Sequence, residues 1–265
     1  IIRFILGFFV MIGALMFLGC PIRMILRLGG GDLNALFGIA GFAGGIGFGT
    51  IFLKKGYSLQ RTYALSKLES AMMPAIQVGL LVLVVTAPAF IFFSQKGPGA
   101  MHAPWLISLA AGLVVGGLSQ VSRLCTVGGF RDLFLFKKSI LIFGYLAVLI
   151  GVFVVNISFG NFHLGFENQP IAHTDGLWNF LGMALAGFCS VLLGGCPLRQ
   201  LIMTGEGNSD SAVTVLGLAA GAAFAHNFGL AATGAGPTLN GEIAVGVGFV
   251  VALIIAILNT KRANA

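Results

Sequence analysis

Two five-residue stretches of this chain combine a thiol, a helix breaker and a cation, and the same order recurs in both. They read Gly19-Cys20-Pro21-Ile22-Arg23 and Gly195-Cys196-Pro197-Leu198-Arg199. A third thiol, Cys125, sits in Leu124-Cys125-Thr126-Val127-Gly128-Gly129, followed by Arg131-Asp132. Proline removes a backbone N–H and clashes with helix continuation, and the adjacent glycine permits unusual backbone angles. Each pattern therefore predicts a broken helix whose short second half starts with free N–H donors and partial positive charge. Arg23 and Arg199 add full charge within the first turn, so an anion is the natural ligand. Thiols are soft, polarizable and weakly hydrogen-bonding, which favours a sulfur- or selenium-bearing solute over a hard ion such as phosphate. A helix N-terminus and nearby arginine also make a cysteine more reactive, so persulfide chemistry is open to these residues.

The elements that carry these patterns are apolar. The chain is 57% hydrophobic and 9% charged, with mean hydropathy +1.00. Soluble domains carry about 25% charged residues, so the fold class expected is an all-α polytopic membrane protein with broken or re-entrant helices. Forty glycines fit close helix approach in a bilayer. The net charge of +7 reflects Lys and Arg retained on the cytoplasmic face and calls for no nucleic acid. None of the four cysteines lies in a polar extracellular loop, so a disulfide framework is a poor reading. No Cys/His metal spacing and no nucleotide-binding motif occur; neither metal nor cofactor is expected.

Eight long apolar segments are read, at 1–18 (with 22–28 after its break), 33–53, 71–93, 105–121 (with 130–136), 139–159, 177–193 (with 198–203), 212–233 and 243–258. Spans need roughly 20 apolar residues. Lys54, Lys55, Arg61 and Lys67, then Lys137-Lys138, then Lys261-Arg262 mark the cytoplasmic side. The loops at 95–104, 160–176 and 234–241 are poor in Lys and Arg and face out. A slide of 176 positions aligns the two Gly-Cys-Pro copies, places Gly29 and Gly31 on Gly205 and Gly207, and places Gly41, Gly45 and Phe48 on Gly217, Gly221 and Phe224. The two copies have opposite orientation by the charge rule, which predicts an inverted repeat with its site near the midplane. The expected division is an incomplete first repeat, 1–94, and a second, 105–260, in one transmembrane domain. The Cys125 segment precedes the second copy only, so a counterpart is expected upstream of Ile1, in an N-terminal part missing here.

Other polar residues have competing readings. Arg131 and Asp132 pair with each other to brace the third break. Cys189, seven residues before Cys196, reads as packing. His226-Asn227, inside the seventh segment, is either a functional pair or a satisfied interhelical hydrogen bond. Glu206 and Asp210 are read as solvated loop residues.

Together, Gly-Cys-Pro-Ile-Arg-Met, Arg-Leu-Cys-Thr-Val-Gly-Gly-Phe-Arg-Asp and Gly-Gly-Cys-Pro-Leu-Arg-Gln resemble the YeeE/YedE family of membrane proteins, most closely its selenium-associated branch. The resemblance spans residues 1 to about 260. It implies a helical inverted-repeat carrier of a bacterial or archaeal cytoplasmic membrane, with Cys20, Cys125 and Cys196 along a central path. Characterised relatives take up thiosulfate, passed between thiols through S–H hydrogen bonds. Two departures stand: the family's first Cys-containing segment ending in Arg-Asp is absent, and the Pro and Arg after Cys20 and Cys196 look like features of the selenium branch. The function expected is transport of a small sulfur or selenium species, with Gly19, Pro21, Arg23, Gly195, Pro197 and Arg199 shaping anion-attracting breaks and Arg131, Asp132, His226 and Asn227 in support. No catalytic residue is assigned. The alternative is a sulfur or selenium transferase working through a Cys persulfide or selenopersulfide. The partners expected are the solute, membrane lipid and a cytoplasmic protein that accepts the sulfur or selenium.

Overall fold

Apolar helix formers broken at glycine and proline yield helices of two lengths in the computed structural model, which describes residues 1–59, 67–87, 90, 95 and 103–263. Eight long helices are α1 (Ile2–Met16), α3 (Asn34–Lys54), α4 (Lys67–Thr86), α5 (Trp105–Ser122), α7 (Ile140–Ser158), α8 (Gly176–Leu193), α10 (Ser209–Asn227) and α11 (Leu239–Ala263). Three short ones are α2 (Pro21–Gly29), α6 (Thr126–Phe136) and α9 (Pro197–Gly205). The described residues contain no strand, and the protein is an all-α polytopic membrane protein. Arg61, the end of the third expected segment and most of the 95–104 loop lie outside the described residues.

Six units are long and apolar enough to cross a bilayer among the described residues: Ile2–Gly29, Asn34–Lys54, Trp105–Phe136, Ile140–Ser158, Gly176–Gly205 and Leu239–Thr260. Eight apolar segments were expected, and the other two are helical but have shorter apolar stretches among the described residues. The apolar part of α4 covers only Pro74–Thr86. In α10, Ser209, Asp210, Ser211, Thr214, His226 and Asn227 dilute the hydropathy. That helix ends at Asn227, whereas 233 was expected.

Four glycines set the packing of the long helices. A Cβ on Gly41 would strike the carbonyl of Phe180, and one on Gly45 the carbonyl of Ala184. A Cβ on Gly217 would strike the carbonyl of Phe4, and one on Gly221 the carbonyl of Phe8. Every one of these pairs maps onto another when 176 is added or subtracted, so α3 grips α8 as α10 grips α1. Small residues that admit backbone-to-backbone contact are how helices associate in lipid, where burial of apolar surface supplies no net drive. The same correspondence holds for the short helices: α2 shifted by 176 covers the same nine residues as α9. Leu18, at φ 62°, takes the left-handed conformation that Gly194 takes at 83°.

The α5 and α7 helices show most of their surface, with Leu113, Val121, Ile140 and Ile150 among the large exposed apolar side chains, as lipid-facing helices do. Two buried clusters lie inside. One holds Leu6, Val10, Met16, Leu185, Phe188 and Cys189. The other holds Phe17, Met24, Phe42, Cys125, Tyr145 and Cys196.

Candidate functional site: three cysteines at helix starts

Each predicted thiol occupies the N-cap of a short helix: Cys20 on α2, Cys125 on α6 and Cys196 on α9. Cys20 (φ −75°, ψ 170°) and Cys196 (φ −71°, ψ 165°) share one extended backbone geometry, and each is followed by proline at the first helical position. That is the position where proline's missing N–H and fixed φ are tolerated. None of the three first turns contains an acidic residue. Arg23 and Arg199 instead stand third in theirs, where a cation opposes the helix dipole. The aliphatic stem of Arg23 folds back over Gly19, whose added Cβ would meet Arg23 Cδ at 2.8 Å.

A chain break in lipid exposes carbonyls that need partners. At the end of α1 every one is accounted for. Gly13 O accepts from the Phe17 amide at 3.3 Å, Ala14 O from Gly19 at 2.8 Å and Leu15 O from Ala232 at 3.2 Å. Met16 O accepts from His173 Nε2 at 2.8 Å. Phe17 O accepts from Arg27 Nη1 at 2.5 Å. Arg27 is itself buried, paired to Asp32 at 2.6 Å and stacked over the Phe17 ring at 4.1 Å. The second break uses neutral groups: Ser190 O accepts from Gly195 and Val191 O from Gly194, both at 3.1 Å, and Leu193 O from Gln200 Nε2 at 3.4 Å.

The second and third breaks meet. The Gly128 amide donates to Cys125 Sγ at 3.3 Å, and Cys125 and Cys196 share one buried cluster. The two thiols interact electrostatically, and Thr126 Oγ1, in the first turn of α6, is buried with no hydrogen-bond partner. Both cysteines are buried, Cys125 at 8% and Cys196 at 1% exposure. Cys20 is more accessible. Tyr145 of α7 ties it to the pair: the phenol donates to Pro21 O at 3.3 Å and lies within electrostatic reach of both Cys20 and Cys196.

Two cavities lie against the breaks, and no cysteine is in the wall of either. One, of about 430 Å³, lies against α2 and includes Arg23, Arg27, Asn156, His163 and Gln169 in its wall. Arg23 Nε and Arg27 Nη2 have no hydrogen-bond partner. The other, of about 520 Å³, lies against the second break at residues 191–194 and includes Arg3, Tyr57, Arg131, Gln200 and Asn208.

The remaining predicted residues are placed as follows. Arg131 and Asp132 pair with each other at 2.8 Å. Arg199 reaches Gln120 Oε1 at 3.1 Å and Glu206 at 3.7 Å. Asp210 is no loop residue: it stands in the first turn of α10, paired with Arg3 at 2.9 Å. His226 and Asn227 are exposed at the end of α10, and Asn227 Nδ2 donates to Ala223 O of its own helix at 2.7 Å. They do not join the thiols. Cys189 is buried in the other cluster, near Tyr57. Sequence reasoning missed Tyr145, Arg27 and His173.

Membrane-crossing units broken at cysteines define the class: a multi-pass membrane protein. Residues 121–261, just over half of the chain, match the family model described as Sulphur transport. The chain belongs to this family, and is thus a sulfur-related membrane transporter. A search of curated proteins finds no match.

Proposed function

We propose that the protein passes a small sulfur- or selenium-containing species, of the thiosulfate or selenium-compound type, through its centre along Cys20, Cys196 and Cys125. The observation that carries this reading is the convergence of two helix starts on one thiol pair. Cys125 and Cys196 cap two helix starts within one buried cluster, the Gly128 amide donates to Cys125 Sγ, and neither first turn contains an acidic residue. Such donors favour an anion with a soft pole, which would take the contacts that the thiols now exchange with each other. Arg23, at the 430 Å³ cavity, attracts the anion. Arg199 completes the first turn of α9, and Arg131-Asp132 braces the third break.

The reciprocal grip of α1–α10 and α3–α8 supports the inverted-repeat reading, with one repeat at 1–94 and the other at 105–260. With the basic stretches on the cytoplasmic side, the 430 Å³ cavity faces out and the 520 Å³ cavity faces in. A cytoplasmic sulfur- or selenium-accepting protein would receive the solute there.

The test is uptake of labelled thiosulfate and selenite by cells expressing Cys20→Ala, Cys125→Ala or Cys196→Ala at normal levels. The proposal predicts that each loses most of the uptake of the true solute. Unchanged uptake by the Cys196 variant would refute it.

A further inference from the structure

A buried phenol joins the first break to the cluster that holds the other two thiols, and no motif announces it. Tyr145 is 7% exposed and is the buried residue of α7, which packs on α2 and α6. Its ring packs edge-on against Phe130, with centroids 6.0 Å apart. Phe130 in turn packs edge-on against Phe42 at 6.0 Å. These three aromatic rings come from α7, α6 and α3 and share one cluster with Cys125 and Cys196. The phenol end of Tyr145 reaches across to α2, where Pro21 O accepts its proton at 3.3 Å. Pro21 is the residue next to Cys20. The hydroxyl therefore ties the first break to α7 and lies within electrostatic reach of Cys20 and Cys196.

We infer that Tyr145 is the gate between the Cys20 side and the Cys125/Cys196 pair, and that the solute opens it by taking over the hydrogen bond now made to Pro21. Three features favour a moving part over a structural strut. The bond is long for an O–H donor, whose usual range ends near 3.0 Å. Pro21 O, at the first position of α2, keeps a helical N–H partner when the phenol leaves. The ring is held by edge contacts to side chains and by no second hydrogen bond among the described residues. A solute carrying an oxygen pole and a sulfur or selenium pole satisfies the phenol with one end and the thiols with the other. Tyr145 thus acts as a specificity residue: an anion lacking a soft pole takes the phenol but gains nothing from the thiols.

This inference rests on the thiol-path reading, and the experiment separates the two. The full-length protein is reconstituted in proteoliposomes as wild type, Tyr145→Phe, Tyr145→Ala, Cys196→Ala and Cys189→Ala. Uptake of labelled thiosulfate and selenite is followed, together with the rate at which a bulky thiol reagent modifies Cys196. Tyr145→Phe keeps the ring packing and should fold normally. The gate predicts that it lowers the maximal uptake rate roughly five-fold, the worth of one net hydrogen bond, with KM within a factor of two. Tyr145→Ala should raise the Cys196 modification rate at least ten-fold. Full uptake by Tyr145→Phe with unchanged Cys196 modification in Tyr145→Ala would overturn the gate while Cys196→Ala still abolishes uptake. Normal uptake by Cys196→Ala would instead sink the thiol path and the gate with it.

Discussion

Replacing Asp32 by Asn should unfold the first break by stranding a buried cation. Asp32 is 2% exposed and Arg27 7%. Their 2.6 Å ion pair is fixed by two further bonds to Asp32 Oδ1, from the Asn34 amide and Asn34 Nδ2, both at 2.9 Å. Removing one partner of such a pair costs about 3–5 kcal/mol, because the other charge stays buried without compensation. The second copy shows the neutral solution: the positions equivalent to Arg27 and Asp32 are Met203 and Asn208. Arg27→Met/Asp32→Asn should therefore recover about half of the loss, the remainder being the Arg27 bond to Phe17 O. At about 2–4 °C per kcal/mol for a chain approaching this length, Asp32→Asn should lower Tm in detergent by roughly 10 °C, and the double variant by roughly 5 °C. Thermal unfolding followed by size exclusion reads both. A loss under about 2 °C for Asp32→Asn, or losses that simply add in the double variant, would refute the claim that this pair holds the break.

Three further outcomes are expected. Burial holds His173 below its ordinary value of 6.5, with the Met16 carbonyl opposing, Arg27 adding to the depression, and Asp175 and Asp32 raising it. A histidine kept neutral in the fold is protonated more readily when unfolded, so Tm should fall as pH drops below about 6.5, and His173→Gln should flatten that fall in a thermal scan. Gly221→Val should cost about 1–3 kcal/mol by overpacking, since its Cβ would meet the Phe8 carbonyl at 2.5 Å; the same change at Gly246, where an added Cβ meets nothing within 4 Å, should leave Tm within 2 °C. Cys189→Ala should leave uptake at the wild-type level, because that thiol lies in the other cluster.

The short-helix starts were legible because their cause is local. Gly-Cys-Pro dictates a broken helix wherever it falls, and the 176-residue offset was visible in glycines that later proved to be the sites of carbonyl contact. Tyr145 was not legible: it sits in a continuous apolar run, and its meaning comes from Pro21, 124 residues away. Arg27 and Asp32 were hidden for a related reason. The repeat directs attention to matched positions, whereas this pair exists in one copy only. His226-Asn227 was read as lying inside the seventh apolar segment, and α10 ends there instead. Asp210 was read with the loop before it, although Asn208 caps α10, accepting from the Ser211 amide at 3.0 Å, and so places Asp210 in the first turn.

The central claim is that the solute contacts thiols at the breaks. A structure of the full-length protein soaked with a selenium-bearing solute, located by the anomalous signal of selenium, tests it directly. The account predicts a selenium peak within contact distance of Cys125 or Cys196 Sγ, with the Tyr145 phenol turned from Pro21 O. A solute bound elsewhere, touching none of Cys20, Cys125 and Cys196, would contradict it.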